Sequence, residues 1–201
     1  YSTYLKSDVK FTDEGVLQSK KERDVLKSKE MEEEFDDGEE FEEQYKPYLK
    51  EETKYGPRGR KQERVEYSPY KTEEQDYESD FVEKEEVERE PFKKRTQTFT
   101  DKGDLYLQRQ WAPYREERSK YRGPSYAKET EEFDIGMAQQ TLFSDERPVV
   151  RYKYDEYKAG EGSAEIPGLE YWDKEEYKQG LQEKIYYDPE TGEVKRTERL
   201  W

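Results

Sequence analysis

Nineteen tyrosines, eight phenylalanines and three tryptophans are the side chains of this 201-residue chain best equipped for chemistry, and that chemistry is contact. A Tyr or Trp ring offers a large contact area with few torsions to freeze and a polar tip that tolerates water. Reactive alternatives are scarce. The sequence has no His and no Cys, which removes the usual nucleophile–base pairs, the common zinc ligands and any disulfide framework. Acidic residues number 52, so two neighbouring carboxylates carry no information by themselves; acid–base work needs one held in a cleft with a shifted pKa. The run Phe35–Glu40 lacks the alternating ligand spacing of a calcium loop. Gly160-Glu161-Gly162 lacks the Lys-Ser/Thr of a phosphate loop. The expectation is therefore no catalytic residue, no metal site and no cofactor: not an enzyme.

The rings recur on a 22-residue beat. Pro47, Pro69, Pro91 and Pro113 are each followed by an aromatic, Tyr48, Tyr70, Phe92 and Tyr114. Seven residues later stands another, Tyr55, Tyr77, Phe99 and Tyr121, and Phe143 continues that second column. The strings YKPYLKEE (45–52), YSPYKTEE (67–74) and WAPYREER (111–118) repeat the pattern with Tyr45, Tyr67 and Trp111 in front. A fixed period of this length marks a repeat architecture or an array of equivalent contacts. Trp172 and Trp201 complete the set of candidate partner-binding residues.

The elements that must hold these rings follow from the spacing. On a strand, an odd separation of seven puts two rings on opposite faces; on a helix it puts them on one face. Proline is tolerated at the first helical position, Ser68 is an N-cap candidate before Pro69, and Gly56-Pro57 and Gly123-Pro124 are stop signals. Each unit thus reads as a Pro-started helix of two to three turns followed by extended chain. Thr130–Leu142 is a further helix candidate, Pro148–Tyr154 a strand, and Gly160–Gly168 a loop. Asp188-Pro189-Glu190-Thr191-Gly192 is a turn signal that predicts a hairpin of 183–187 against 193–197.

Four segments result: a polar and acidic N-terminal stretch (1–44), the degenerate Pro-aromatic repeats (45–125), a mixed linker with a short strand (126–170) and a C-terminal hairpin segment (171–201). Leu, Ile, Val and Phe together supply only 30 of 201 residues, and charged residues 44%. That is below the apolar content at which a chain is expected to fold alone. The fold class expected is mostly irregular and extended, with short α-helices and a C-terminal β-hairpin, no independent globular core, and order supplied by partners. The net charge of −15 disfavours nucleic acid, whose phosphates would repel it. Basic clusters at Arg58–Lys61 and Lys93–Arg95 are short. No run is long and apolar enough for a transmembrane helix.

These features point to a structural linker or scaffold that threads along a large protein assembly of repeated subunits and fixes them through its rings, with flanking charges setting register. A 22-residue step would span at most ~75 Å extended or ~33 Å helical. In general character the chain is similar to linkers of light-harvesting antennae and to proteins lining the microtubule lumen. The Pro-punctuated period also resembles exchangeable apolipoproteins, which keeps an amphipathic lipid-surface protein open as an alternative; a disordered regulatory protein is the other. The first residue is Tyr, which fits a chain whose leader has been removed on import into an organelle, a plastid ahead of a mitochondrion, with a cytoskeletal or axonemal place inside the cell as the alternative.

Overall fold

The computed structural model describes residues 6–35, 38–78, 81–122, 127–166 and 169–200. The described residues are almost all in strands, and none of them is helical. The expectation of an irregular chain with short helices that borrows its order from partners is thereby overturned. Ten strands form one antiparallel sheet in chain order: β1 (Ser7–Phe11), β2 (Leu17–Phe35), β3 (Gly38–Tyr55), β4 (Lys61–Glu78), β5 (Phe81–Phe99), β6 (Leu105–Arg122), β7 (Ala127–Ser144), β8 (Arg147–Ile166), β9 (Leu169–Tyr187) and β10 (Val194–Arg199). The repeat read as helices is the strand-and-turn beat of this sheet. Thr130–Leu142 lies within β7 and Gly160–Ile166 within β8, so neither the helix nor the loop expected there exists; residues 167 and 168 lie outside the described residues. The hairpin expected around 188–192 coincides with β9 and β10, with Val194 opposite Tyr187 and Thr197 opposite Ile185.

Four ribbons, β2–β3, β4–β5, β6–β7 and β8–β9, pair along their whole length. Between ribbons the pairing changes from one end to the other. At the end that carries the tight turns, β3 meets β4 (Glu51–Tyr55 with Lys61–Glu66), β5 meets β6, and β7 meets β8. At the far end β2 meets β5 (Lys29–Glu33 with Lys84–Glu88), β4 meets β7, and β6 meets β9. The far-end order is therefore β3-β2-β5-β4-β7-β6-β9-β8. Each ribbon has turned over by half a revolution between the two ends.

The sequence provides for that half turn. Two-stranded ribbons twist more than wide sheets, and a bulge adds twist. Lys50, Lys94, Ala138 and Gln182 are extra residues in the registers of the four ribbons, each skipped by its partner strand and spaced 44 residues apart. Pro47, Pro69, Pro91 and Pro113 stand where the ribbons cross, opposite Val25, one another (Pro69 with Pro91) and Ile135. At the crossing a strand has its ribbon partner on one side and no ladder on the other. A missing N–H aimed to the open side costs nothing there, whereas it would break a ladder at either end. These prolines are the middles of strands, not the starts of helices. The two-strand step of the sheet, about 10 Å, also equals the distance at which β layers stack face to face. Ribbons turned edge-on at the crossing can thus pack their faces without changing the spacing of the sheets they join.

The turns are tight and repeat every 44 residues. Gly15, Gly59 and Gly103 have φ of 79°, 69° and 97°, and their N–H groups bond to the carbonyls of Thr12, Gly56 and Thr100, all at 2.9 Å. Each is a three-residue loop ending in a left-handed residue, for which glycine has no steric penalty. Asp145 and Glu146 (φ 49° and 64°) make a two-residue turn instead.

Burial is modest and comes from both faces. Leu26, Val65, Leu107, Val150 and Ile185 are buried, with Ser28, Thr53 and Thr141. At the turn end the register aligns Thr98, Leu107, Leu142, Val150 and Tyr186 in one row across the strands, and Gln97, Gln108, Thr141, Arg151 and Ile185 in the next. Adjacent rows face opposite sides. The sheet is a single layer, so a residue is covered by the long side chains beside it: Thr141 is 1% exposed between Gln108 and Arg151. Stems of Arg, Lys and Gln cover apolar surface while their tips stay in water. Cross-strand pairs supply the rest: Arg64 to Glu51 at 2.8 Å, Lys54 to Glu63 at 2.8 Å, and the Gln97–Gln108 side-chain bond at 3.0 Å, with Arg64 also reaching Glu66 on its own strand at 3.2 Å. A 44% charged chain suits a sheet with water on both faces.

Candidate interaction surface

The aromatic residues fall into three groups. The first is a comb at the turn end. Phe11, Tyr55, Phe99, Phe143 and Tyr187 lie 44 residues apart, each at a register shift, opposite Leu17, Lys61, Leu105, Pro148 and Val194; four of them end their strands, and Phe143 is followed by one more strand residue, Ser144. Equivalent positions two strands apart are about 10 Å from one another. Phe11 is 60% exposed; the other four are half-buried. The Arg151 guanidinium lies 5.4 Å over the Tyr187 ring. Tyr55, Phe99 and Phe143 are read from the sequence; Phe11 and Tyr187 are not, although the recurrence of Gly15, Gly59 and Gly103 carries the same period.

The second group sits at the crossing. Tyr48, Tyr67, Tyr70, Phe92, Trp111 and Tyr114 are half-buried there. Tyr70 and Phe92 meet edge to face, centroids 5.9 Å apart at 83°. Burial, foremost, pushes up the phenol pKa of Tyr48, Tyr67, Tyr70 and Tyr114; Tyr114 also donates its hydroxyl to Asp134 at 3.3 Å. Neighbouring ribbons touch at this level. The Arg115 N–H donates to Glu156 at 3.1 Å and its guanidinium lies 5.6 Å over Tyr177. Gly136 leaves the space that the Gln179 side chain fills; a Cβ there would come 1.8 Å from Gln179 Oε1. Much of this ring surface is thus used within the chain. Tyr45 differs: it is 58% exposed, and its hydroxyl donates to Glu43 at 2.7 Å, which raises its pKa.

The third group belongs to the far end and is placed by backbone register: Tyr77 beside Ala127, and Tyr121 beside Trp172. Trp201 lies outside the described residues. The structure therefore does not gather all fourteen candidate rings into one surface; the single 22-residue beat separates into alternating contributions to the two ends and the middle.

Charge separates the same way. Sequence windows 27–45, 72–89, 117–132 and 159–176, which run to and from the far end, hold 29 acidic and 9 basic residues; the remainder holds 23 acidic and 28 basic. Far-end cations are shared. Lys27 pairs with Glu43 and, at 3.3 Å, with Glu30. Arg118 reaches Glu129 at 2.5 Å and Glu131 at 3.6 Å. Lys158 reaches Glu161 at 2.5 Å and Glu175 at 2.6 Å. The hydrogen bond from Lys27 holds the Glu43 carboxyl below its ordinary value, and that from Lys158 does the same for Glu175. For Glu129 burial works upward, but Lys120 and Arg118 together win and the value is lowered. At the turns, Gly56, Arg58, Arg60, Lys61 and Asp101 help line an open hollow of about 260 Å³, with Arg60 donating to the Asp101 carbonyl at 3.4 Å. Among the described residues no group of His, Cys, Asp or Glu is arranged to hold a metal ion, and no helix is long and apolar enough to cross a membrane.

Comparison with protein-family models, with curated proteins and with solved structures finds no match for this chain.

Proposed function

We propose that this chain is a non-enzymatic structural scaffold that contacts a large protein assembly at repeated, equivalent aromatic positions. One observation carries the reading: the comb of Phe11, Tyr55, Phe99, Phe143 and Tyr187 repeats with the fold itself, once per pair of strands. Equivalent weak contacts on one rigid body raise avidity through effective concentration. The folded step is about 10 Å, far below the ~33–75 Å that an unfolded or helical repeat would allow. The partner surface must therefore repeat on the scale of paired strands, or lie along the comb as one continuous face. Tyr and Phe serve as anchors, and the charges between them set register.

The test compares Tyr55→Ala, Phe99→Ala and Phe143→Ala singly and together in capture from native extract, with circular dichroism as a control for the sheet. The triple variant should keep its strands and lose the stoichiometric assembly by more than the three single losses combined. Equal capture by the triple variant and the parent would sink the reading. Flotation with liposomes addresses the lipid-surface alternative, which requires the chain to float.

A further inference from the structure

The two outer strands of the turn-end sheet differ in what they offer. Among the described residues nothing pairs with the outer side of β1 or of β10. On β10 the charges are already engaged: Arg196 pairs with Glu198, Arg199 with Glu183 at 3.7 Å, and Arg196 lies 5.8 Å over Tyr186. Such an edge is blunted by its own cations. On β1, Val9 is 43% and Phe11 60% exposed, and no ion pair among the described residues engages Asp8 or Lys10.

The hydrogen-bond phase of β1 is fixed by the Arg23 N–H bond to the Lys6 carbonyl at 2.8 Å and by the Thr12 N–H bond to the Val16 carbonyl at 2.8 Å. In an antiparallel ladder, groups alternate inward and outward. Residues 6, 8, 10 and 12 therefore bond inward to β2 and its turn, and Ser7, Val9 and Phe11 aim their N–H and C=O outward. We propose that β1 pairs antiparallel with β1 of a second copy about a two-fold axis through Val9. In that register Val9 bonds to Val9 and Ser7 to Phe11 of the other copy, which uses every outward group of the strand. Asp8 falls opposite Lys10 twice, in the non-bonded pairs where side chains approach closest. The strand is complementary to itself in backbone phase and in charge, and the contact closes as a dimer.

Continuing the sheet head to tail onto β10 fails on the same reasoning. The bond from Leu200 N–H to the Gln182 carbonyl at 2.9 Å makes Thr197 and Arg199 outward residues. With the rows of the sheet kept in line, Val9 would meet Thr197, Asp8 would face Glu198 and Lys10 would face Arg196, both like-charged pairs. The edges repel in the register that would build a fibre and attract in the one that builds a pair.

Sedimentation velocity over a concentration series tests this on the whole chain. A five-residue edge is a small interface, so the dimer fraction should rise with concentration. Asp8→Lys and Lys10→Asp should each raise the dissociation constant about tenfold or more, since two facing pairs turn from attraction to repulsion. The double exchange should restore it. Val9→Pro should abolish the dimer with strand content unchanged, because the N–H it removes is not bonded to β2. A monomer at every concentration would overturn the proposal. So would charge reversals without effect, or a double exchange no tighter than Lys10→Asp alone, the pattern expected of a slipped β1–β10 contact in which Lys10 meets Glu198 and Asp8 meets no charge.

Discussion

The turn end and the far end of this sheet are made by the same four ribbons, yet they differ in strand order, width and charge. At the turn end the order follows the chain and ten strands are joined; at the far end every ribbon is reversed and eight strands are joined. The turn end alternates Arg and Glu across its strands, while the far end shares few cations among many carboxylates. Neighbour relations in a sheet are thus set by how far a ribbon has twisted at a given height, and two heights of one ribbon can choose different neighbours. The crossing between them is where proline is harmless and side chains, not ladders, connect the ribbons.

The sharpest way to break that contrast is to move proline. Thr96→Pro places it in β5 between Val65 and Arg109, a site paired on both sides, and should cost about 3 kcal/mol or more. Pro91→Ala at the crossing should change stability by less than about 1 kcal/mol. Urea titration measures both, and equal losses would show that the crossing is laddered like the ends. Next in size, Leu107→Ala at the buried middle of the turn-end sheet should cost about 2–3 kcal/mol, read by the same titration. Gly103→Ala forces a left-handed residue at φ 97° and should cost about 1 kcal/mol, visible as a lowered midpoint with unchanged slope. At the far end, Arg118→Leu uncovers Glu129 and Glu131 together and should cost about 1 kcal/mol at low salt, a loss that shrinks as salt is added. Lys54→Met, which frees one exposed carboxylate at the turn end, should cost less than half of that.

The smallest effect is on pH dependence. Glu43, Glu129 and Glu175 have folded values below the ordinary 4.5. A lowered carboxyl stabilises the fold above its unfolded value and loses that contribution as pH falls through the folded one. Stability should therefore decline as pH drops below about 4.5, and Lys158→Met should flatten that decline. An unchanged acid limb in Lys158→Met would show that Lys158 does not hold the Glu175 carboxylate.

The period was legible in the sequence and its conformation was not, for reasons visible at single residues. A separation of seven excludes a common face only on a regular strand. Bulged Lys50 lies between Tyr48 and Tyr55, and Lys94 between Phe92 and Phe99. One inserted residue makes an odd spacing behave as an even one, so on these irregular strands an odd count does not separate the rings onto opposite faces. The prolines misled in the same way, because a strand interior with one open side is a rare setting. The turn at 188–192 was readable since Asp188 accepts the N–H groups of Glu190 and Thr191 at 2.8 and 3.0 Å, chemistry local to five residues. Composition suggested disorder because it was weighed against a domain with an enclosed interior. A one-layer sheet has none to fill.

A consequence follows from the 44-residue recurrence of turn, bulge and proline. Among the described residues each ribbon pairs only with the ribbons beside it, so the architecture is one-dimensional. Copying one unit in the gene would lengthen the molecule by about 10 Å and leave every other contact as it was. The fold behaves as a ruler with a fixed graduation, its length open to selection in whole divisions.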